Sequence, residues 1–253
     1  MAYEIRELSF GEILDRGFRL VRDHIVLLGA PAAAIYVPVS LVLTVLTPET
    51  PTAPADLLPF AASFAALILL SLVVVPVLWA SVTYAIGESY LGRSVTIAEA
   101  LRAGVDVLLP LIGTWILAYL AILGGFLLLI LPGIYLTLAF MLITQVMVLE
   151  RRFGVRALGR SRELMSGHML RGFGILLVGT LLVGLLSSGI ELGLGWIPVL
   201  GPIASGIAQA LGFAYTSTLG VLLYFDIRCR KEAFDLEHLS RLVEARTHPV
   251  SGT

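Results

Sequence analysis

The chain has 253 residues, 58% of them hydrophobic and 14% charged, with a net charge of -1. Soluble domains carry about 45–50% apolar and about 25% charged residues, so this composition excludes an ordinary water-soluble globule. The lone Cys229 excludes an internal disulfide.

The first 24 residues are charged and amphipathic. The apolar run after them is too long for the core of a cleaved signal peptide, so none is expected. Ser9-Phe10-Gly11-Glu12 fits a capping box, in which a hydroxyl caps the third helical N–H and the glutamate caps back. Phe10, Ile13, Leu14, Gly17, Phe18 and Val21 then fall on one helical face, with Glu12, Asp15, Arg16, Arg19 and Arg22 elsewhere. Such a helix is expected to lie in the plane of the membrane interface.

Two apolar segments follow, 25–46 and 59–85, each long enough to cross roughly 30 Å of hydrocarbon. Thr96-Ile97-Ala98-Glu99 opens a second capped helix, with Ile97, Ala100, Leu101, Gly104, Val105 and Leu108 at the same spacing as the first set. Segments 108–131 and 134–149 come next. The latter is short, and Leu131-Pro132-Gly133 is expected to form the turn between them. A third amphipathic helix is expected near Gly154, with Ala157, Leu158 and Met165 on its apolar face. Ser161 and Arg162 there fill positions that are small or apolar in the other two copies. Segments 173–195 and 201–225 complete six spans.

The pattern predicts an all-α fold: a polytopic membrane helical bundle of six transmembrane helices in three hairpins, each hairpin preceded by a cytoplasmic amphipathic interfacial helix. Residues 1–239 form one domain of repeat-like units at about 8–94, 95–152 and 153–227, and residues 240–253 form a flexible cytoplasmic tail. All 17 basic residues fall before the first span, after the second, between the fourth and fifth, or after the sixth. The connections 47–58, 132–133 and 196–200 carry none. The positive-inside rule therefore places both termini in the cytoplasm.

Four stretches together resemble the membrane domain found in some bacterial glycerophosphoryl diester phosphodiesterases and in stand-alone membrane proteins. They are Leu8-Ser9-Phe10-Gly11-Glu12 through Phe18, Leu128 through Tyr135, Val148-Leu149-Glu150 through Ser161, and Leu223-Tyr224-Phe225-Asp226 through Leu236. The resemblance spans roughly residues 8 to 239. It implies that hydrolysis in fused members belongs to a separate soluble domain with metal-binding carboxylates and histidines. The spans here leave no room for that domain, so no catalysis is expected. The location implied is the bacterial cytoplasmic (inner) membrane.

No phosphate-binding loop, nucleophile elbow or zinc-protease motif occurs. His24, His168, His238 and His248 are scattered without metal-ligand spacing, so neither metal nor cofactor is expected. The strongest positive signal is Arg151, Arg152, Arg156, Arg160, Arg162 and Arg171, opposed between them only by Glu163. The cluster anchors topology and is a candidate for anionic phospholipid, at about 1 kcal/mol per basic residue. Phe10, Ile13, Leu14, Phe18, Ile97, Leu101 and Val105 are the candidate interfacial contacts. Glu191 and Gln209 are the candidate solute path, because ionisable and polar groups within spans are kept for function.

These features point to a non-enzymatic lipid-organising or scaffolding module. The alternatives are a small carrier or channel for a hydrophobic or lipid-like solute, and a membrane subunit of a separate lipid-metabolising enzyme. A protein partner or a second copy of the chain stays open, and nucleic acid is not an expected partner.

Overall fold

The computed structural model describes residues 6–46 and 57–234, and these are all-α. The expectations placed on 47–56 and on 235–253, including Asp235, Glu237, His238 and the tail 240–253, lie outside the described residues. The elements are α1 (Phe10–Asp23), α2 (Ile25–Leu46), α3 (Leu57–Tyr90), α4 (Ile97–Asp106), α5 (Leu108–Leu128), α6 (Ile130–Ala139), α7 (Ile143–Leu149), α8 (Val155–Met165), α9 (Met169–Leu194) and α10 (Leu200–Glu232).

Five stretches are long and apolar enough to cross a membrane: Ser71–Tyr90, Leu108–Leu128, Ile130–Leu149, Met169–Leu194 and Leu200–Glu232. A sixth comes from Ile25–Leu41, which meets α1 at a bend of 81°. The chain is thus built as a multi-pass helical membrane bundle, with α1, α4 and α8 as short amphipathic helices leading into α2, α5 and α9.

α10 is the axis of the bundle. It is largely buried and packs against α2, α9, α1 and α3. α2 rests chiefly on α10 and only lightly on its sequence neighbour α3. The reason lies partly in Gly206, where a Cβ would stand 2.7 Å from the Cα of Val37. Without a side chain there, the two backbones close up and Ser40 donates to the carbonyl of Pro202 at 2.7 Å. α5 packs closely on its sequence neighbour α6, as α9 does on α10.

Two details differ from the sequence expectation. The turn between α5 and α6 falls at Leu129, whose backbone is extended (φ -163, ψ 151), and not at Leu131-Pro132-Gly133. Pro132 sits in the first turn of α6, where a missing N–H leaves no helical bond unmade. Gly133 instead faces the ring of Phe126, so close that a Cβ would approach it to 2.4 Å. The short fourth span therefore begins at Ile130 and gains the length to cross.

That span is broken at 140–142 between α6 and α7. A break within hydrocarbon frees backbone groups that must find partners inside the protein. Ser161, fully buried on α8, supplies them: its hydroxyl donates to the carbonyl of Ala139 at 2.8 Å and accepts from the N–H of Leu142 at 3.3 Å. The residue that made the third amphipathic copy look degenerate is the one that fills the break. Ala157, Leu158, Ser161, Leu164 and Met165 form the buried face of α8.

Candidate functional site

The functional candidates collect at the end of the bundle where α3, α7 and α10 finish and α9 begins. Both expected capping boxes are present there, Ser9 with Glu12 on α1 and Thr96 with Glu99 on α4. The Thr96 backbone N–H donates to Glu99 at 2.8 Å and, with the Thr96 hydroxyl, holds that carboxyl below its ordinary value of 4.5.

The apolar face of α1 divides. Ile13, Gly17, Leu20 and Val21 are buried against the bundle, and Leu14 is half-buried. Phe10 and Phe18 are 38% and 62% exposed, on the side away from the core. α4 repeats the division with smaller residues: Ala100, Ala103 and Gly104 point inward, Ile97 and Leu101 are half-buried, and Val105 is exposed. Arg19 and Arg22 on α1 are also exposed, with water-facing partners in Asp15 at 2.7 Å and Asp23 at 3.1 Å. Such pairs contribute little to stability and leave the cations available.

Two carboxylates organise the chain ends. Asp226, buried on α10, accepts the Leu8 N–H at 2.8 Å, Arg171 Nε at 3.0 Å and Arg230 Nε at 3.1 Å. Arg171 and Arg230 also donate to the Leu8 carbonyl, at 2.5 and 2.9 Å. Leu8 is thus held by both halves of its backbone polarity. Glu150 accepts from Arg160 Nε at 3.0 Å, from the Tyr224 hydroxyl at 3.0 Å and from Arg152 at 3.2 Å. Arg160 reaches further, to Glu163 at 3.3 Å and Glu232 at 2.5 Å. Its burial works against the charge, but pairing with Glu232 and Glu150 more than offsets it and raises its affinity for the proton.

The six arginines of the cluster therefore separate. Arg160 and Arg171 are committed to carboxylates of the chain itself. Arg162 donates to the Tyr135 hydroxyl at 3.0 Å and lies over that ring. Arg151, Arg152 and Arg156 are exposed, and of these only Arg152 has an ion pair among the described residues. Glu191 and Gln209 are both exposed and lie on different helices, α9 and α10.

The sequence alone did not reveal that Glu150 pairs with Arg160 and Tyr224, or Asp226 with Leu8, since up to 218 positions separate the partners. The signal was present in another form: they lie in three of the four stretches that carried the family resemblance. Those stretches converge on one end of the bundle. Among the described residues no group of three or more His, Cys, Asp or Glu is placed to hold a metal ion. Comparison with protein-family models, curated proteins and solved structures finds no significant match for the chain.

Proposed function

We propose that the chain is a non-enzymatic integral membrane protein that engages anionic phospholipid through its amphipathic helices and organises lipid or scaffolds other proteins. The reading includes the bacterial cytoplasmic membrane as its location and cytoplasmic termini. It treats the chain as a relative of the phosphodiesterase membrane domain. The observation that carries it is the outer face of α1. Phe18 is 62% exposed, and Arg19 and Arg22 beside it are 60% and 66% exposed. An aromatic ring beside unburied guanidinium groups suits the boundary between acyl chains and anionic headgroups.

The test is a Phe18→Cys variant carrying an environment-sensitive fluorophore, in nanodiscs of phosphatidylcholine with and without phosphatidylglycerol. Quenching by lipids spin-labelled near the headgroup, stronger with phosphatidylglycerol and weakened by Arg19→Gln/Arg22→Gln, is the expected result. A fluorophore quenched only by water-soluble agents would sink the reading.

A second reading, a carrier or channel, draws on one feature. Thr83 Oγ1, Gln145 Oε1 and Ser217 Oγ are buried without hydrogen-bond partners among the described residues, on three helices that pack together. A buried polar atom left unpaired is costly, and a hydrated passage would relieve it. Solute flux through liposomes that falls with Gln145→Leu would favour this alternative. Co-purification with a soluble hydrolase would favour the enzyme-subunit reading.

A further inference from the structure

The ends of α3, α7 and α10 enclose a cavity of about 330 Å³. Three arginines line it, Arg93, Arg151 and Arg228, against a single carboxylate, Glu88. They come from connections or helix ends far apart in the sequence, and the fold brings them to one mouth.

Their states differ in a useful way. Arg228 is held in place, stacked 4.1 Å from the ring centroid of Phe234, paired with Glu232 at 2.8 Å and donating to the Tyr224 hydroxyl at 3.3 Å. Its side chain is only 19% exposed. Arg93 is tied to Glu88 at 2.9 Å, with most of its side chain in the open. Arg151 has no side-chain ion pair or hydrogen bond among the described residues. Its backbone sits in the left-handed region at φ 53, where a side chain bearing a Cβ is strained by about 1 kcal/mol or more. The chain thus keeps a strained, exposed arginine at the mouth of a cavity that already holds two others.

The remaining lining is apolar or aromatic, with Leu91, Val148, Leu149 and Phe225 beside Tyr84. Planar guanidinium groups converging on one small volume match the tetrahedral oxygens of a phosphate, which each can bind through two N–H groups. The volume is at the small end of the range of ligand pockets, roughly 300–1,000 Å³.

We propose that this cavity is a binding site for a phosphate ester, with Arg151 and Arg93 closing on the phosphate and Arg228 fixed as its floor. It goes beyond the lipid reading above, because it lies at the ends of spanning helices and uses neither α1 nor the exposed face of α8. The phosphate arrives either on the headgroup of a membrane phospholipid or on a soluble monoester.

The experiment titrates the purified full-length protein, in neutral detergent, with phosphatidylglycerol and separately with glycerol 3-phosphate, and reads adducts by native mass spectrometry. Four proteins are compared: wild type, Arg151→Gly, Arg151→Gly/Arg93→Gln, and Lys231→Gln, which removes an exposed cation at the end of α10 that does not line the cavity. Arg151→Gly suits the left-handed backbone and so keeps the fold. Its affinity for whichever probe the wild type binds is expected to fall about ten-fold, the worth of one charge-assisted hydrogen bond, with a further fall in the double variant and none in Lys231→Gln. Selective loss of phosphatidylglycerol identifies the lipid headgroup as the source, and selective loss of glycerol 3-phosphate identifies a soluble ester. Either result supports the site. Equal affinity in all four proteins, an equal fall in Lys231→Gln, or no binding of either probe to wild type overturns it. The α1 fluorescence result stands or falls separately, since no residue is shared between the two tests.

Discussion

Arg171 and Asp226 meet at 3.0 Å across 55 positions, and between them they grip both the N–H and the C=O of Leu8. The first described turn, the entry to α9 and the exit of α10 are fastened at this single point. A carboxylate with no exposed side-chain surface and two arginine partners is costly to break, because removing one member leaves the others charged and unmatched.

Asp226→Asn keeps the shape and one acceptor for Leu8 but removes the charge. It is expected to destabilise the protein by about 3 kcal/mol, and Arg171→Gln by less, because Arg230 still neutralises the carboxylate. Thermal unfolding in detergent, followed by the accessibility of buried Cys229 to a thiol reagent, measures both. An unchanged midpoint in Asp226→Asn would show the contact to be ornamental.

Ser161→Ala removes a hydroxyl and leaves the Ala139 carbonyl and the Leu142 N–H buried without it. The expected loss is about 1–3 kcal/mol, concentrated at the break between α6 and α7. Hydrogen exchange should rise at residues 140–143 and stay level in α5. Uniform exchange across the variant would refute a local role.

Arg160 and Arg156 lie four positions apart on α8 and are expected to respond oppositely. Arg160→Gln should lower stability by about 2 kcal/mol, since it strips Glu150 and Glu232 of a nearly buried partner. Arg156→Gln should leave stability unchanged and reduce the anionic phospholipid retained after extraction. Two variants that behave alike in both measurements would contradict the division of the arginine cluster.

The capping box of α4 sets a pH dependence. The Glu99 carboxyl is held below its ordinary value of 4.5 by the Thr96 backbone N–H and hydroxyl. A depressed folded value means the cap is fully in place above the ordinary carboxylate range and is lost as pH falls through the lowered value. Amide protection in the first turn of α4 should therefore survive acidification through the ordinary carboxylate value of 4.5 and drop only below it in the wild type. The Glu99→Gln variant should show little further drop. Parallel curves for the two would rule out the carboxylate.

The spans and both capping boxes were legible in the sequence because each depends on residues a few positions apart. The charge network was not, because Leu8, Glu150, Arg160 and Asp226 acquire partners only after α10 reaches the centre. Ser161 is instructive. Read by periodicity it is a flaw in an apolar stripe, and its purpose depends on a break in a different helix that no local pattern announces. The division of α1 into an inward and an outward apolar side was hidden for a related reason. Helical spacing says which residues share a face, and packing decides which part of that face is covered.

The central place of α10 also bears on biosynthesis. Leu8 and its acceptor Asp226 are separated by 218 positions. At about 5–20 residues per second, the ribosome delivers the second roughly 10–40 s after the first. Throughout that interval α1 and α2 lack the helix they rest on, so the nascent chain waits in the bilayer with its earliest spans unclasped. Chains halted before residue 200 should stay protease-sensitive at Leu8 and depend on insertion chaperones, and completion of α10 should abolish both.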